Sequence, residues 1–165
     1  MNGVARSSAI GLGALMVGSL LIAAPARAEG PVAACQWIDR EYSQTYSCED
    51  PVDAVESLDI VDCWKYPAPA RTYVRQKTGS GWSRNPEITV KVTGSKGCSD
   101  PYPYRTVVTI PGELLAEMAT TRVRMTMPRH EVELPDGTIQ AVGKTVVTYG
   151  ACLMPEDAGD WCPER

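Results

Sequence analysis

Histidine is almost absent: His130 is the only one in 165 residues. A Ser–His–Asp catalyst would need that one ring beside a serine and a carboxylate. No serine lies in a Gly-x-Ser-x-Gly elbow, and His130, following Pro128-Arg129, reads as an ordinary histidine at a strand entrance. There is no Cys-x-x-Cys, which together with the histidine shortage excludes a zinc site of familiar spacing. No glycine-rich loop follows a strand and opens a helix, so phosphate cradling is excluded. Calcium would need a longer run of oxygen ligands than Cys48–Asp50 or Asp157–Asp160 supplies. Asn85 precedes Pro86 and so is no acceptor for N-linked sugar. No cofactor is expected, and no internal repeat is present.

Paired carboxylates are harder to exclude, because the 20 acids offer many pairs and no preferred one. Glycoside hydrolysis needs two acids at a set separation, one of them held protonated. Glu131 and Glu133 share a strand face, but one that looks toward solvent. An acid-pair hydrolase is therefore the weakest of the functional readings, and an enzyme is less expected than a binding protein.

Charge is also missing from the beginning of the chain. From Ser7 to Ala26 no residue is charged, the centre reads "IGLGALMVGSLLIAA", and the run ends in "APARA". That is the pattern of an export signal with small residues at a cleavage site. Cleavage after Ala28 is expected, leaving residues 29–165 as one β-rich domain. A retained membrane anchor is the alternative, but the run is rich in Gly and Ala and broken by Pro25, so no stable membrane insertion is expected after cleavage. Val32–Cys35, "VAAC", resembles a lipoprotein box, yet Arg27 and Glu29 separate it from the apolar run. A lipid on Cys35 would also leave an odd number of cysteines.

What the chain does have is six cysteines: Cys35, Cys48, Cys63, Cys98, Cys152 and Cys162. An even count behind an export signal implies disulfides and a secreted or extracytoplasmic location. Three bridges allow fifteen pairings, and spacing alone does not choose among them. Local closure of Cys35 with Cys48 and Cys152 with Cys162, leaving Cys63 with Cys98, is the expected arrangement.

Charge is segregated along the chain. Glu29–Asp62 carries nine acids and one base, Cys63–Arg129 eleven bases and four acids, and His130–Arg165 seven acids and two bases. The net charge of −4 argues against a general nucleic-acid binder. The basic middle offers a positive face only if folding does not interleave it with the acidic ends.

Periodicity points to β-structure. In "RTYVRQKT", Tyr73, Arg75 and Lys77 share one face, and Thr72, Val74 and Gln76 the other. "EITVKVTG" sets Ile88, Val90 and Val92 against Thr89, Lys91 and Thr93. "TRVRMTM" turns Val123, Met125 and Met127 inward and Arg122, Arg124 and Thr126 outward. "RTVVTI" is β-branched from Thr106 onward and suits a central strand. "EVELPDGTIQAV" reads as two strands around a Pro-Asp-Gly turn, and "KTVVTYGAC" as a last strand. "PGELLAEMA" predicts one short helix, with Leu114, Leu115 and Met118 as its apolar stripe. Asp53–Trp64 fits a capped helical turn or a strand, and "GSGWSRNP" reads as a loop. Helical crossovers between strands are absent. The fold class expected is mostly β: an antiparallel β-sandwich, immunoglobulin-like in outline, with one short helix and disulfide bracing. A small β-barrel is the alternative.

Candidate binding residues come from aromatic and basic side chains on stiff segments. In "CSDPYPYR", Pro101 and Pro103 fix their own φ and bias their neighbours toward extended shapes, so Tyr102 and Tyr104 ride on a rigid ledge. Rigid aromatic and arginine anchors lose little entropy on binding. Trp82 and Arg105 are the second pair. The function expected is a secreted, non-enzymatic binding or adaptor protein whose partner is another secreted or cell-surface protein, or a carbohydrate. A protease inhibitor that inserts the Cys98–Arg105 loop is the alternative.

Overall fold

The computed structural model describes residues 30–40, 43–155 and 162. The predicted export signal, residues 1–28, and most of the tail beyond Pro155 lie outside the described residues. In chain order the elements are β1 (Val32–Arg40), β2 (Ser43–Cys48), β3 (Ser57–Trp64), β4 (Tyr73–Thr78), β5 (Gly81–Ser83), β6 (Thr89–Lys96), β7 (Tyr104–Pro111), α1 (Gly112–Glu117), β8 (Thr121–Met127), β9 (His130–Glu133), β10 (Ile139–Val142) and β11 (Thr145–Pro155).

The strands form a large sheet of six, ordered β2-β1-β11-β8-β4-β5, a small sheet of three, ordered β3-β7-β6, and the separate hairpin β9–β10. Every pairing is antiparallel. Both sheets have free edge strands, so the result is an open sandwich rather than the barrel.

Alternation explains the core. One face of the large sheet supplies Ala34, Val74, Val123, Met125, Val147, Tyr149 and Ala151, all buried. The facing side of the small sheet supplies Leu58, Ile60, Val108 and Ile110. As expected for a central strand, β7 is covered on both faces, and Val107 and Val108 are both buried. α1 links β7 to β8, passing from the small sheet to the large one, and inserts Leu115 into the core. Leu114 is half-buried, and Met118 is exposed.

Three local readings change. Asp53 opens no helix; the chain enters β3 at Ser57, where Leu58, Ile60 and Asp62 alternate inward. Gly81–Ser83 is a short strand rather than a loop, because Gly79, at φ +54°, allows a tight turn after Thr78 that pairs Lys77 with Trp82. Val90 and Val92 face inward but stay half-buried, since β6 is an edge of the small sheet.

The disulfides are Cys35–Cys48, Cys63–Cys98 and Cys152–Cys162, the arrangement of local closure. The first lies across β1 and β2, and the second ties β3 to the turn after β6. No bridge joins the two sheets, whereas immunoglobulin domains of antibodies have one, so the immunoglobulin likeness is one of outline. Three intramolecular bridges indicate an oxidising, extracytoplasmic environment.

Candidate functional site: a cleft at the open end of the sandwich

The inward-facing row of the small sheet does not end in apolar residues. Leu58 and Ile60 give way to Asp62 and Trp64 on β3, and Ile110 and Val108 to Thr106 and Tyr104 on β7. Register places Asp62 opposite Thr106 and Trp64 opposite Tyr104. Polar and aromatic side chains thus occupy the mouth between the sheets.

Asp62 is buried, with 3% of its surface exposed. A buried carboxylate must be paired and hydrogen-bonded to stay there, and this one is. Arg40, at the end of β1, forms an ion pair with Oδ1. The Cys63 backbone N–H donates to Oδ1 at 2.9 Å. The Tyr149 hydroxyl donates to Oδ2 at 2.9 Å. Burial raises the Tyr149 hydroxyl above its ordinary pKa; Arg40 pulls the other way and is outweighed. The phenol therefore stays a donor. Arg40 also lies over the Trp64 ring, 5.4 Å from its centroid, and the indole N–H donates to Thr106 Oγ1 at 2.9 Å.

In front of this network opens a cleft of about 450 Å³. Its walls are Trp64, Tyr66 and Tyr102 on one side and Met127, His130 and Val142 on the other; Arg40 and Lys65 supply the cationic groups. That volume falls in the range of about 300–1,000 Å³ typical of ligand sites, which combine apolar walls with a few polar groups.

Tyr102 is 53% exposed yet held by a well-tied turn. Its N–H donates to the Ser99 carbonyl, the Gly97 and Cys98 N–H groups both donate to the Pro103 carbonyl, and Cys98 is bridged to Cys63. The ring is therefore free to contact a ligand while its backbone is fixed.

The four residues singled out from sequence do not converge. Tyr102 lines the cleft. Tyr104 is half-buried within β7 beside Trp64. Arg105 points to the opposite face of β7, where its aliphatic stem packs on Gly97 and its Nε is occluded without a hydrogen-bond partner. Trp82 belongs to the outer face of the large sheet, stacked against Arg124. The cleft's other members, Arg40, Trp64, Tyr66, Met127 and His130, come from separate strands and joining segments. The local signal for part of it was the run Trp64-Lys65-Tyr66 ahead of the proline-rich Pro67–Ala70.

His130 has both ring nitrogens beside backbone carbonyls, Nδ1 3.0 Å from that of Pro128 and Nε2 2.9 Å from that of Pro67. It presents no free nitrogen to a nucleophile. Among the described residues no cluster of His, Cys, Asp and Glu is arranged to hold a metal ion. The chain matches no protein-family model, no curated protein and no solved structure.

Proposed function

We propose that this is a secreted, non-enzymatic binding protein that seats an apolar anchor of a partner protein in the cleft at the end of the sandwich. The observation that carries this reading is the union of an exposed aromatic ring, Tyr102, with a tied backbone and an adjoining cavity of about 450 Å³. Anchor side chains seated in desolvated pockets dominate the energetics of protein interfaces. A pocket fixed in advance keeps the ordering cost low. Lys65, exposed at the rim, favours a partner with an acidic residue next to the anchor.

A protease-inhibiting loop is less well supported. Tyr104 and Arg105 sit inside β7; Arg105 is paired with Cys63 on one side and Thr93 on the other. A doubly paired strand has no free edge to lay in a protease cleft.

Peptides selected on phage against the immobilised, disulfide-intact protein test the proposal. They should share one large aromatic or aliphatic residue. Their affinity should drop at least tenfold, about 1.4 kcal/mol, against Tyr102→Ala and stay unchanged against Trp82→Ala. Selected peptides that bind Tyr102→Ala as well as the parent protein would place the site elsewhere.

A further inference from the structure

The outer face of the large sheet has a chemistry of its own. Cross-strand register puts Tyr46, Trp37, Gly150 and Arg122 in one row. The next row runs Thr148, Arg124, Arg75. Lys77 and Trp82 are direct partners across β4 and β5. The six strands of the sheet thereby present a grid that carries cations and aromatic rings on five of them, with neighbours about 4.8 Å apart across strands and about 6.8 Å apart along them.

The cations rest on the rings. Arg124 Cζ lies 4.0 Å and Lys77 Nζ 5.5 Å from the Trp82 ring centroid. Arg122 Cζ lies 5.9 Å from that of Trp37, and Arg75 Cζ 5.3 Å from that of Tyr73. Significant cation–π contacts occur about once per 70–80 residues, so four on a single sheet face is a concentration. Among the described residues, none of Arg75, Lys77, Arg122 and Arg124 is paired with a carboxylate; the ion pair found there is Arg40–Asp62, at the sandwich mouth. The Nε atoms of Arg122 and Arg124 are occluded and have no hydrogen-bond partner. Within the described strands, the acid whose register puts it on this face is Asp39, on β1, two strands from Arg124.

Among the described residues, folding has therefore not interleaved this part of the basic middle with acidic side chains. On a chain of net charge −4, a face that concentrates cations is the one a polyanion approaches most favourably.

We propose that the outer face of the large sheet binds a linear acidic polysaccharide through the Arg75, Lys77, Arg122 and Arg124 grid. Three features select this occupant. A stacked guanidinium keeps its in-plane N–H donors available for carboxylate or sulfate oxygens, and a repeating anion matches a repeating grid without needing a pocket. The Trp37 and Trp82 rings are half-buried beneath cations, so they are not open platforms for stacking nucleic-acid bases. Nor do they protrude as an apolar layer that could enter a lipid surface. The three disulfides also indicate an extracytoplasmic environment, outside the compartment that holds the bulk of a cell's nucleic acid.

The test uses the full, disulfide-intact chain with alginate, a uronate polymer, and neutral dextran of similar length, followed by calorimetry at low and moderate salt. Alginate should bind with an affinity that falls as salt rises, and dextran should not bind. Arg122→Gln/Arg124→Gln should weaken alginate at least tenfold and flatten the salt dependence. The more exposed pair Arg75→Gln/Lys77→Gln should do the same, which keeps the test decisive if the first pair perturbs folding. Tyr102→Ala should leave alginate binding unchanged, separating this face from the cleft. Unchanged alginate affinity in a folded Arg75→Gln/Lys77→Gln variant, or equal binding to dextran, would overturn the proposal. Binding to duplex DNA or to phosphatidylserine vesicles as tight as to alginate would overturn the choice of occupant.

Discussion

The Tyr149 hydroxyl donates a 2.9 Å hydrogen bond to Asp62 Oδ2, and this bond joins β11 of the large sheet to β3 of the small one. No disulfide makes such a link. With Tyr149 fully buried and Asp62 nearly so, the pair is a polar fastening between two mainly apolar faces, closed on the solvent side by Arg40.

Removing either donor should therefore cost stability, by different amounts. Tyr149→Phe leaves one carboxylate oxygen short of a partner, a loss of about 1–3 kcal/mol. Arg40→Met strips a buried carboxylate of its counter-charge, for which about 3–5 kcal/mol is usual. Because Arg40 is itself 37% exposed and water can reach the gap, the lower end of that range is expected. Denaturant midpoints should rank parent, Tyr149→Phe, Arg40→Met. A Tyr149→Phe protein as stable as the parent would show that the bond does not fasten the sheets.

The same phenol sets an alkaline limit. Burial raises its pKa above the usual value of about 10. Above that pH the unfolded chain gives up this proton before the folded chain does, so the folded state binds more protons and stability falls as pH rises. The contribution is intact below about pH 10 and is lost as pH climbs through the folded-state value. Unfolding free energy measured from pH 8 to 11.5 should decline more steeply in the parent than in Tyr149→Phe. Parallel curves would count against the burial of the phenol.

The faces read from alternation supply a third expectation. Ile110 is fully buried, and Lys91 is exposed on the outer side of an edge strand. Ile110→Ala should cost about 2–5 kcal/mol through lost transfer energy and a residual cavity. Lys91→Ala should cost less than about 0.5 kcal/mol. A urea series with the opposite ranking would mean that the small sheet is turned over.

Much of the architecture was legible because period two is a strong signal wherever one face is buried. Val123, Met125 and Met127 against Arg122 and Arg124 is such a case, and so is the β9–β10 hairpin around Pro135-Asp136-Gly137. The disulfide pairing is the local closure that was expected, although spacing alone did not choose it among the fifteen possibilities. The cleft was not legible, because Arg40, Trp64, Tyr102 and His130 are far apart in sequence and meet only through the stacking of the two sheets. The cationic face was half legible. Alternation showed Arg75, Lys77, Arg122 and Arg124 to be outward, but only the strand order β11-β8-β4-β5 makes them neighbours. Trp82 looked like a loop residue because its three-residue strand is too short to show a period.

Gly150 offers a way to disturb that face from beneath. It sits between Trp37 and Arg122 in the same row, and a Cβ placed there would lie 1.9 Å from the Trp37 ring. Gly150→Ala must displace the indole, an overpacking that costs about 1–3 kcal/mol. The displaced ring also loses its stacking with Arg122. The variant should show a lower melting temperature and an altered tryptophan emission. An unchanged spectrum would mean that Trp37 does not lie over Gly150.

Tyr102 and Tyr104 were alike in sequence, two aromatic rings interleaved with two prolines, and the structure separates them. Tyr102 is 53% exposed at the cleft. Tyr104 is half-buried in β7, opposite Trp64 on the side of the sheet that faces the core. One ring is thus exposed at the cleft, and the other closes the end of the core. Tyr102→Ala should leave the denaturant midpoint within about 0.5 kcal/mol of the parent, as surface changes do, while weakening cleft-selected peptides at least tenfold. Tyr104→Ala removes the half-buried ring that register places opposite Trp64 at the end of the core. It should lower stability by about 1–3 kcal/mol and red-shift the Trp64 emission. If Tyr104→Ala is silent in stability while Tyr102→Ala unfolds the protein, the two rings have exchanged the roles assigned to them.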